Sequence, residues 1–164
     1  LVAKAQWVDA AIRQMAASNR LAAMHFLKVG VVGATDITGF GLARHAQNLS
    51  LRLGASGCRL DLSSLPLLDG ALKLLSSGIK SSLHDQNRAA VQIDTSGLSG
   101  DAGTQFDAHI ETLFDPQTSG GLLGVFPRDT ANRLVATMHK DGQTAAIIGT
   151  LDFTNTGVHL TGNM

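Results

Sequence analysis

The sequence predicts an α+β domain in which helices flank a mixed β-sheet. Segments with apolar residues at helical spacing alternate along most of the chain with short apolar runs that are typical of strands. The last two strand-like runs, residues 145–151 and 158–160, have no helical segment between them. Parallel neighbours need a crossover connection of about a dozen residues or more, so we expect a mixed sheet rather than a purely parallel one.

The helices are predicted from the spacing of their apolar residues and from the residues at their ends. Gly30, Gly54, Gly78 and Gly142 each follow a helical pattern, as expected of glycines that end helices. Pro66 suits the first turn of a helix, because the N–H that it lacks would be unpaired there. These signals predict helices over residues 7–27, 42–51, 66–75, 105–113 and 127–140.

The strands are predicted from short apolar or alternating runs. Cys58, Leu60 and Leu62 alternate with polar residues, which indicates a strand with one buried face. Residues 78–87 are largely polar and residues 94–103 are rich in Gly, Ser and Asp, so we expect loops there. Strands are predicted over residues 31–34, 58–62, 89–93, 122–126, 145–151 and 158–160.

Composition excludes several classes of protein. The length of 164 residues predicts one domain over residues 1–164, and the balance of 13 basic and 13 acidic side chains excludes a nucleic-acid binder held by bulk charge. Apolar runs are shorter than the roughly 20 residues of a membrane helix, and the single Cys58 cannot form an internal disulfide. We see no secretion signal and therefore expect a cytoplasmic protein. Charged residues make up only 16% of the chain, against a usual value of about 25%, so its surface has unusually few charges.

Thr35, Asp36, Thr38, Gly39 and Gly41 lie in a turn between a predicted strand and a predicted helix. The free N–H groups and partial positive charge of a helix N-terminus suit a phosphate group. Glycines let the backbone approach a ligand closely, and a carboxylate such as that of Asp36 is the hard oxygen ligand that Mg²⁺ prefers. The turn thus predicts a corner where a metal ion and phosphate groups meet. The structural alternative is that Asp36 or Thr38 caps the helix and the glycines only turn the chain.

A second turn, with the sequence FDPQTSGG, covers residues 114–121. Gln117, Thr118 and Ser119 offer hydrogen-bond donors and acceptors, and the Asp-Pro pair initiates a turn. A phosphate or partner loop and a purely structural turn before the next strand both fit this composition.

Three further groups are weaker candidates. Asp107, His109 and Glu111 would share one face of a strand as metal ligands, but a helix would bring only Asp107 and Glu111 together. His45 follows the first turn closely and is a candidate to face a ligand, but a surface or capping role is preferred. Cys58 lies on the inward side of a predicted strand, where a cysteine is usually an inert core residue.

The two turns together resemble selenophosphate synthase (selenide, water dikinase). The resemblance rests on TDITGFG at residues 35–41 and on FDPQTSGGL at residues 114–122. Shorter matches in the family's order are Asn19-Arg20, HAQNL at residues 45–49, LPLL at residues 65–68 and IIG at residues 147–149. The wider superfamily includes aminoimidazole ribonucleotide synthase, thiamine-monophosphate kinase and a hydrogenase maturation factor. Phe40 between the two glycines favours selenophosphate synthase, because the purine-pathway relative has glycine there and histidine in place of Asp36.

The resemblance covers essentially the whole chain but only the family's C-terminal domain. It implies the conversion of ATP, selenide and water to selenophosphate, AMP and orthophosphate, with Mg²⁺ bridging the ATP phosphates. It implies that Asp36 is a metal ligand and that Thr35, Thr38, Gly39 and Gly41 lie beside the phosphates. The reactive cysteine or selenocysteine, the lysine near it and the other metal-binding aspartates belong to the family's N-terminal domain, which is absent from this chain. We therefore expect no synthase activity from the chain alone.

The implied partners are the protein's own N-terminal domain and a second copy of the full-length enzyme. A surface covered by these partners needs few charges, so we expect an exposed apolar patch beside Asp36. Two alternatives stay open: a related ATP-dependent enzyme that acts on a purine or thiamine precursor, and a non-catalytic assembly domain.

Overall fold

The computed structural model describes residues 3–99 and 104–163. The helices, in chain order, are α1 (Ala5–Ala16), α2 (Arg20–Val29), α3 (Gly41–Arg52), α4 (Ala71–Ser76), α5 (His84–Ala89), α6 (Thr104–Thr112) and α7 (Arg128–Lys140), with a short 3₁₀ helix at Leu62–Ser64. The strands are β1 (Gly33–Asp36), β2 (Gly57–Asp61), β3 (Ile93–Ser99), β4 (Leu122–Val125), β5 (Gly149–Asp152) and β6 (Gly157–Asn163). Within the described ranges, no helix has the length and apolar character needed to cross a membrane.

The larger sheet has four strands in the order β3-β6-β2-β5. The central β2 runs parallel to β6 and antiparallel to β5, so that Cys58 lies opposite Val158 on one side and Leu151 on the other. Strand β3 pairs with β6 in parallel. The predicted mixed sheet is confirmed, although the two last strands lie on either side of β2 and do not pair with each other.

A separate two-stranded sheet decides where the two turns lie. Strands β1 and β4 are antiparallel, and Asp36 at the end of β1 is paired with Leu122 at the start of β4. The first turn leaves β1 at the same edge at which the second turn enters β4. Two segments about 80 residues apart in the chain are therefore neighbours.

Both turns are anchored by buried side chains. Ile37 is 5% exposed and Phe114 is 1% exposed. Burying an apolar side chain of this size contributes about 1.5–3 kcal/mol. The main core cluster around Phe114 takes in residues of α3, β2, β6, the 3₁₀ helix and the segments that follow α5 and α6, namely Ala43, Ala46, Cys58, Leu60, Leu62, Val91, Leu113, Val158 and Leu160. A smaller cluster of Phe26, Leu134 and Met138 joins α2 and α7 beside β4.

The helix predicted over residues 7–27 is wrong in one respect, because it is divided into α1 and α2. The backbone of Ala17 is extended, and the hydroxyl of Ser18 accepts a hydrogen bond from the N–H of Arg20 at 3.2 Å. This side-chain bond occupies one of the four unpaired N–H groups at the start of α2. Serine and asparagine between two apolar patterns favour such a new helix start.

The segment between residues 78 and 103 also differs from its prediction. Helix α5 occupies part of the predicted loop at 78–87, and the strand predicted over 89–93 begins only at Ile93 and continues to Ser99. Asp94, Thr95 and Ser96 are exposed, so β3 lacks the apolar alternation that identifies a strand from sequence. The strand is instead defined by its backbone pairing with β6, which a bulge interrupts between Asp94 and Gly97. Residues 100–103 of the second predicted loop lie outside the described residues.

Candidate functional site

The first turn leaves the carboxylate of Asp36 exposed at the end of β1. This carboxylate makes no hydrogen bond or ion pair with any residue that the structure describes. The next residue, Ile37, is buried and holds the turn against the core. The geometry thus presents an unpaired negative charge on a fixed backbone.

The backbone amides of this turn divide into two groups. The Gly41 N–H donates to the Thr38 carbonyl at 3.0 Å, and the Ala43 N–H donates to the Leu113 carbonyl at 3.0 Å. Two amides at the start of α3 are therefore already used within the protein. The N–H groups of Gly39 and Phe40, just before the helix, donate to no described residue and are free to meet a ligand.

The two glycines of the turn have different structural roles. Gly41 has a φ of +75°, and a Cβ there would lie 2.7 Å from the carbonyl oxygen of Leu113 and 3.0 Å from the Cα of Phe114. A Cβ at Gly39 would meet nothing within 4 Å. Of these two glycines, the fold therefore requires only Gly41, and the space beside Gly39 is open.

Replacing Gly41 by Ala is expected to destabilise the chain by about 2 kcal/mol or more, because the left-handed conformation and the backbone clash both oppose a side chain. Replacing Gly39 by Ala is expected to change the free energy of unfolding by less than about 0.5 kcal/mol. Urea unfolding of the two variants measures the difference. Equal losses of stability would contradict the separation of the two roles.

The side chain of Thr38 is held by His45 of α3. The Thr38 N–H donates to Nε2 of His45 at 3.2 Å, and the Thr38 hydroxyl lies 3.1 Å from the same nitrogen. Burial lowers the pKa of the His45 imidazole, while the nearby Asp36 carboxylate acts to raise it. The structure thus places the His45 side chain against Thr38 of the turn, and no side chain caps the first turn of α3.

Neither Asp36 nor Thr38 caps α3 through its side chain. The N-cap residue is Phe40, and no side chain bonds to the first turn of the helix there. This part of the structural alternative is therefore wrong, whereas the turning role of Gly41 is confirmed. Capping therefore does not account for the Asp36 carboxylate.

The second turn braces the first through backbone hydrogen bonds. The Ile37 N–H donates to the Gly121 carbonyl at 2.9 Å, and the Gly120 N–H donates back to the Ile37 carbonyl at 3.1 Å. The Gln117 N–H donates to the Thr38 carbonyl at 3.1 Å. A Cβ at Gly120 would lie 2.5 Å from the Ile37 oxygen, so glycine is needed for this approach. Thr118 and Ser119 remain exposed.

Two asparagines that the sequence prediction did not single out as site residues join the turns to the rest of the domain. Asn87 of α5 is 6% exposed, and its side-chain amide donates to the carbonyls of Gly39 at 2.8 Å and Phe114 at 3.0 Å. The amide of Asn19 donates to the Gly120 carbonyl at 2.9 Å. Asn19 belongs to a short matching pair in the sequence, but nothing in the local pattern marks Asn87 as buried.

The weaker candidates do not join this site. Asp107 and Glu111 are on α6, and the carboxylate of Glu111 contacts Lys80 at 2.6 Å, His84 at 2.6 Å and Arg88 at 2.8 Å. Burial opposes ionisation of Glu111, but hydrogen bonds from Lys80 and His84 bring its pKa below the usual value. Across residues 3–99 and 104–163, no group of three His, Cys, Asp or Glu side chains could hold a metal ion.

Cys58 is a core residue and not a nucleophile. Its side chain is buried in β2, and burial raises the pKa of the thiol. A thiol becomes a nucleophile when its pKa is lowered, so this environment opposes reactivity.

The oxygen donors at the first turn fit one side of a Mg²⁺ site. The Asp36 carboxylate is exposed and unpaired among the described residues, and carboxylate oxygen suits Mg²⁺ together with water and phosphate oxygens. The hydroxyl of Thr35 donates to the Asp36 carbonyl at 3.2 Å and so stiffens the backbone at this position. One carboxylate is only a partial ligand set for Mg²⁺.

Comparisons with known proteins place the chain in a family. Residues 4–159 match the family described as AIR synthase related protein, C-terminal domain. The selenide, water dikinase of Porphyromonas gingivalis is 40% identical over 144 residues, which are 86% of this chain and 39% of that protein. The selenide, water dikinase of Citrifermentans bemidjiense is 34% identical over 142 residues, which are 87% of this chain and 39% of that protein. The chain thus spans about 39% of the length of these curated relatives.

A solved structure agrees with the fold. The crystal structure of thiamine-monophosphate kinase from Stenotrophomonas maltophilia matches 84% of this chain and 33% of its own chain, with a TM-score of 0.54 and 18% sequence identity. At this identity the likeness shows the fold alone, and it confirms the predicted α+β architecture with a mixed sheet. The chain therefore belongs to the family of AIR synthase related proteins, with which it shares the C-terminal domain.

Proposed function

We propose that this chain is the C-terminal domain of a selenide, water dikinase, which converts ATP, selenide and water to selenophosphate, AMP and orthophosphate. The observation that carries the proposal is the braced first turn, which leaves the Asp36 carboxylate and the N–H groups of Gly39 and Phe40 without described partners. The relatives named above, at 34–40% identity, support this choice of reaction. The domain spans residues 1–164, and the N-terminal catalytic domain belongs to the remainder of the protein.

The chemistry of phosphoryl transfer suits such a division of labour. Catalysis depends mainly on positioning the phosphates and on neutralising their charge. Bound Mg²⁺ would supply that neutralisation. In this chain, Asp36 would hold the cation from one side, and the free amides of Gly39 and Phe40 would donate to phosphate oxygens. Thr35, Thr38 and Gly41 would maintain the shape of the turn beside the triphosphate.

The surface of the chain supports a covering partner. Helix α1 has no buried residue, and its apolar side chains Val8, Ile12 and Met15 are exposed, as are Met24 and Leu27 of α2. Phe40, four residues after Asp36, is 63% exposed. Because the relatives are more than twice as long as this chain, we propose that their additional N-terminal part covers these residues and that the full-length enzyme is a cytoplasmic homodimer.

The full-length protein that carries this chain tests the proposal. With ATP and Mg²⁺, it is expected to release AMP and form selenophosphate only when selenide is added, as measured by chromatography of nucleotides and by phosphorus NMR. Turnover of a thiamine or purine precursor without a response to selenide would instead identify a related ATP-dependent enzyme. Absence of turnover with all of these substrates would favour a non-catalytic assembly domain.

A further inference from the structure

We propose that His45 is a positioning residue for the phosphate and metal corner, and that it acts through Thr38. The inference rests on the proposed function, because it assigns a role within the same site. Its basis is that one nitrogen of His45, Nε2, contacts both the backbone nitrogen and the hydroxyl oxygen of Thr38. The Thr38 N–H is 3.2 Å from Nε2 and the Thr38 hydroxyl oxygen is 3.1 Å from it.

These two contacts determine where the protons lie. A backbone N–H can only donate, so Nε2 of His45 accepts and carries no proton. The neutral imidazole then carries its proton on Nδ1, which bonds to no described residue. The distances therefore select one tautomer of the ring.

The tautomer in turn orients the Thr38 hydroxyl. Since Nε2 can only accept, the Thr38 hydroxyl donates its proton to that nitrogen and shares the nitrogen's lone pair with the Thr38 N–H. The lone pairs of the Thr38 oxygen then remain as acceptors. An oxygen in this state attracts a cation or its bound water and cannot donate to a phosphate oxygen, so His45 directs Thr38 toward the metal rather than toward the phosphate.

The surroundings hold the imidazole in place. His45 is half-buried on α3, and Ala43 and Ala46 of the same helix are in the core. The centroids of the Phe40 and His45 rings are 6.0 Å apart. Among the described residues, the carboxylate of Asp36 is the charged group that acts on His45. A rigid helix thus presents a fixed acceptor to the turn that precedes it.

The test uses the full-length protein and measures the dissociation constant of MgATP by calorimetry. His45→Phe removes the acceptor, and we expect MgATP binding to weaken about tenfold. His45→Gln keeps an acceptor oxygen at a similar reach, and we expect a change of about threefold or less. His139→Phe is the matched control, because His139 is an exposed histidine of α7 that contacts the backbone carbonyl of Ala145 and should leave binding unchanged.

A second comparison separates positioning from a structural role. In a Thr38→Val background, His45→Phe is expected to weaken MgATP binding clearly less than in the wild-type background, because the hydroxyl that it orients is already absent. Equal effects in the two backgrounds, or equal losses for the Gln and Phe variants, would overturn the inference. Thermal melting of each variant reports separately on folding.

The tautomer can be tested on the wild-type protein, so this measurement does not depend on the folding of a variant. Nitrogen NMR of the histidine-labelled wild-type protein at neutral pH is expected to show His45 with a proton on Nδ1 and none on Nε2. A proton on Nε2 would overturn the inference. A protein that binds MgATP with the expected coupling but forms no selenophosphate would contradict the proposed function and leave the role of His45 standing.

Discussion

The isolated chain is expected to release no AMP from ATP in the presence of Mg²⁺ and selenide. The first reason is the metal: Asp36 is exposed and unpaired, but the described residues contain no group of three side chains that could hold an ion. The second reason is that Cys58, the single cysteine of the chain, is buried with a raised thiol pKa and so is not an activated nucleophile. A single carboxylate in water also binds Mg²⁺ weakly, because the ion dehydrates reluctantly.

The measurement compares the chain with the full-length protein at equal concentration in the same AMP assay. We expect AMP release from the full-length protein only, and no detectable calorimetric signal for Mg²⁺ binding to the chain alone. Selenide-dependent turnover by the chain would show that residues 1–164 contain a complete active site and would refute the proposed division between two domains.

The first turn could be recognised from sequence because its chemistry is local. The motif TDITGFG concentrates a carboxylate, two hydroxyls and two glycines within seven residues. Its neighbourhood could not be recognised in the same way. Three backbone hydrogen bonds join the turn to residues 117–121, and backbone bonds between distant segments leave no side-chain pattern in the sequence. The position of the second turn was therefore open from sequence, and the β1–β4 pairing places it beside the first turn.

Asn87 shows a second limit of sequence reasoning. It lies in a polar stretch that predicts a loop, and it proves to be a buried side chain that bonds to Gly39 and Phe114. A polar residue in a polar stretch is expected at the surface, and only the tertiary fold reveals that its amide satisfies two carbonyls. The edge strand β3 was placed too early, over residues 89–93, for a related reason, because the neighbouring strand β6 determines its backbone conformation.

The low charge content of the chain is accompanied by exposed apolar side chains on α1 and α2. Val8, Ile12 and Leu27 are among the exposed apolar residues, and Leu27 is 75% exposed. In α1, the exposed residues Val8, Ile12 and Met15 are spaced so that they share one face of the helix. None of the residues of α1 is buried in this domain. The deficit of charges and the exposed helix faces together support a domain that is partly covered in the full-length protein.

Replacing Asp36 by Asn in the full-length protein is expected to lower selenide-dependent AMP release by about 10² or more. The substitution keeps the size and shape of the side chain and removes its charge. The carboxylate makes no hydrogen bond within the described part of the chain and is exposed, so the free energy of unfolding should change by less than about 0.5 kcal/mol. Asp69→Asn, which changes another exposed aspartate with no described partner, is the matched control and should retain full activity.

Nucleotide binding distinguishes a metal ligand from a residue that only shapes the turn. Without Mg²⁺, the Asp36 carboxylate repels the triphosphate, so Asp36→Asn should bind metal-free ATP at least as tightly as the wild type. With Mg²⁺, the same variant should lose most of the gain in affinity that the cation gives, because an amide oxygen is a weaker ligand than a carboxylate. If both proteins gain equally from Mg²⁺, Asp36 does not hold the cation, and the free amides of Gly39 and Phe40 remain as the contacts to phosphate.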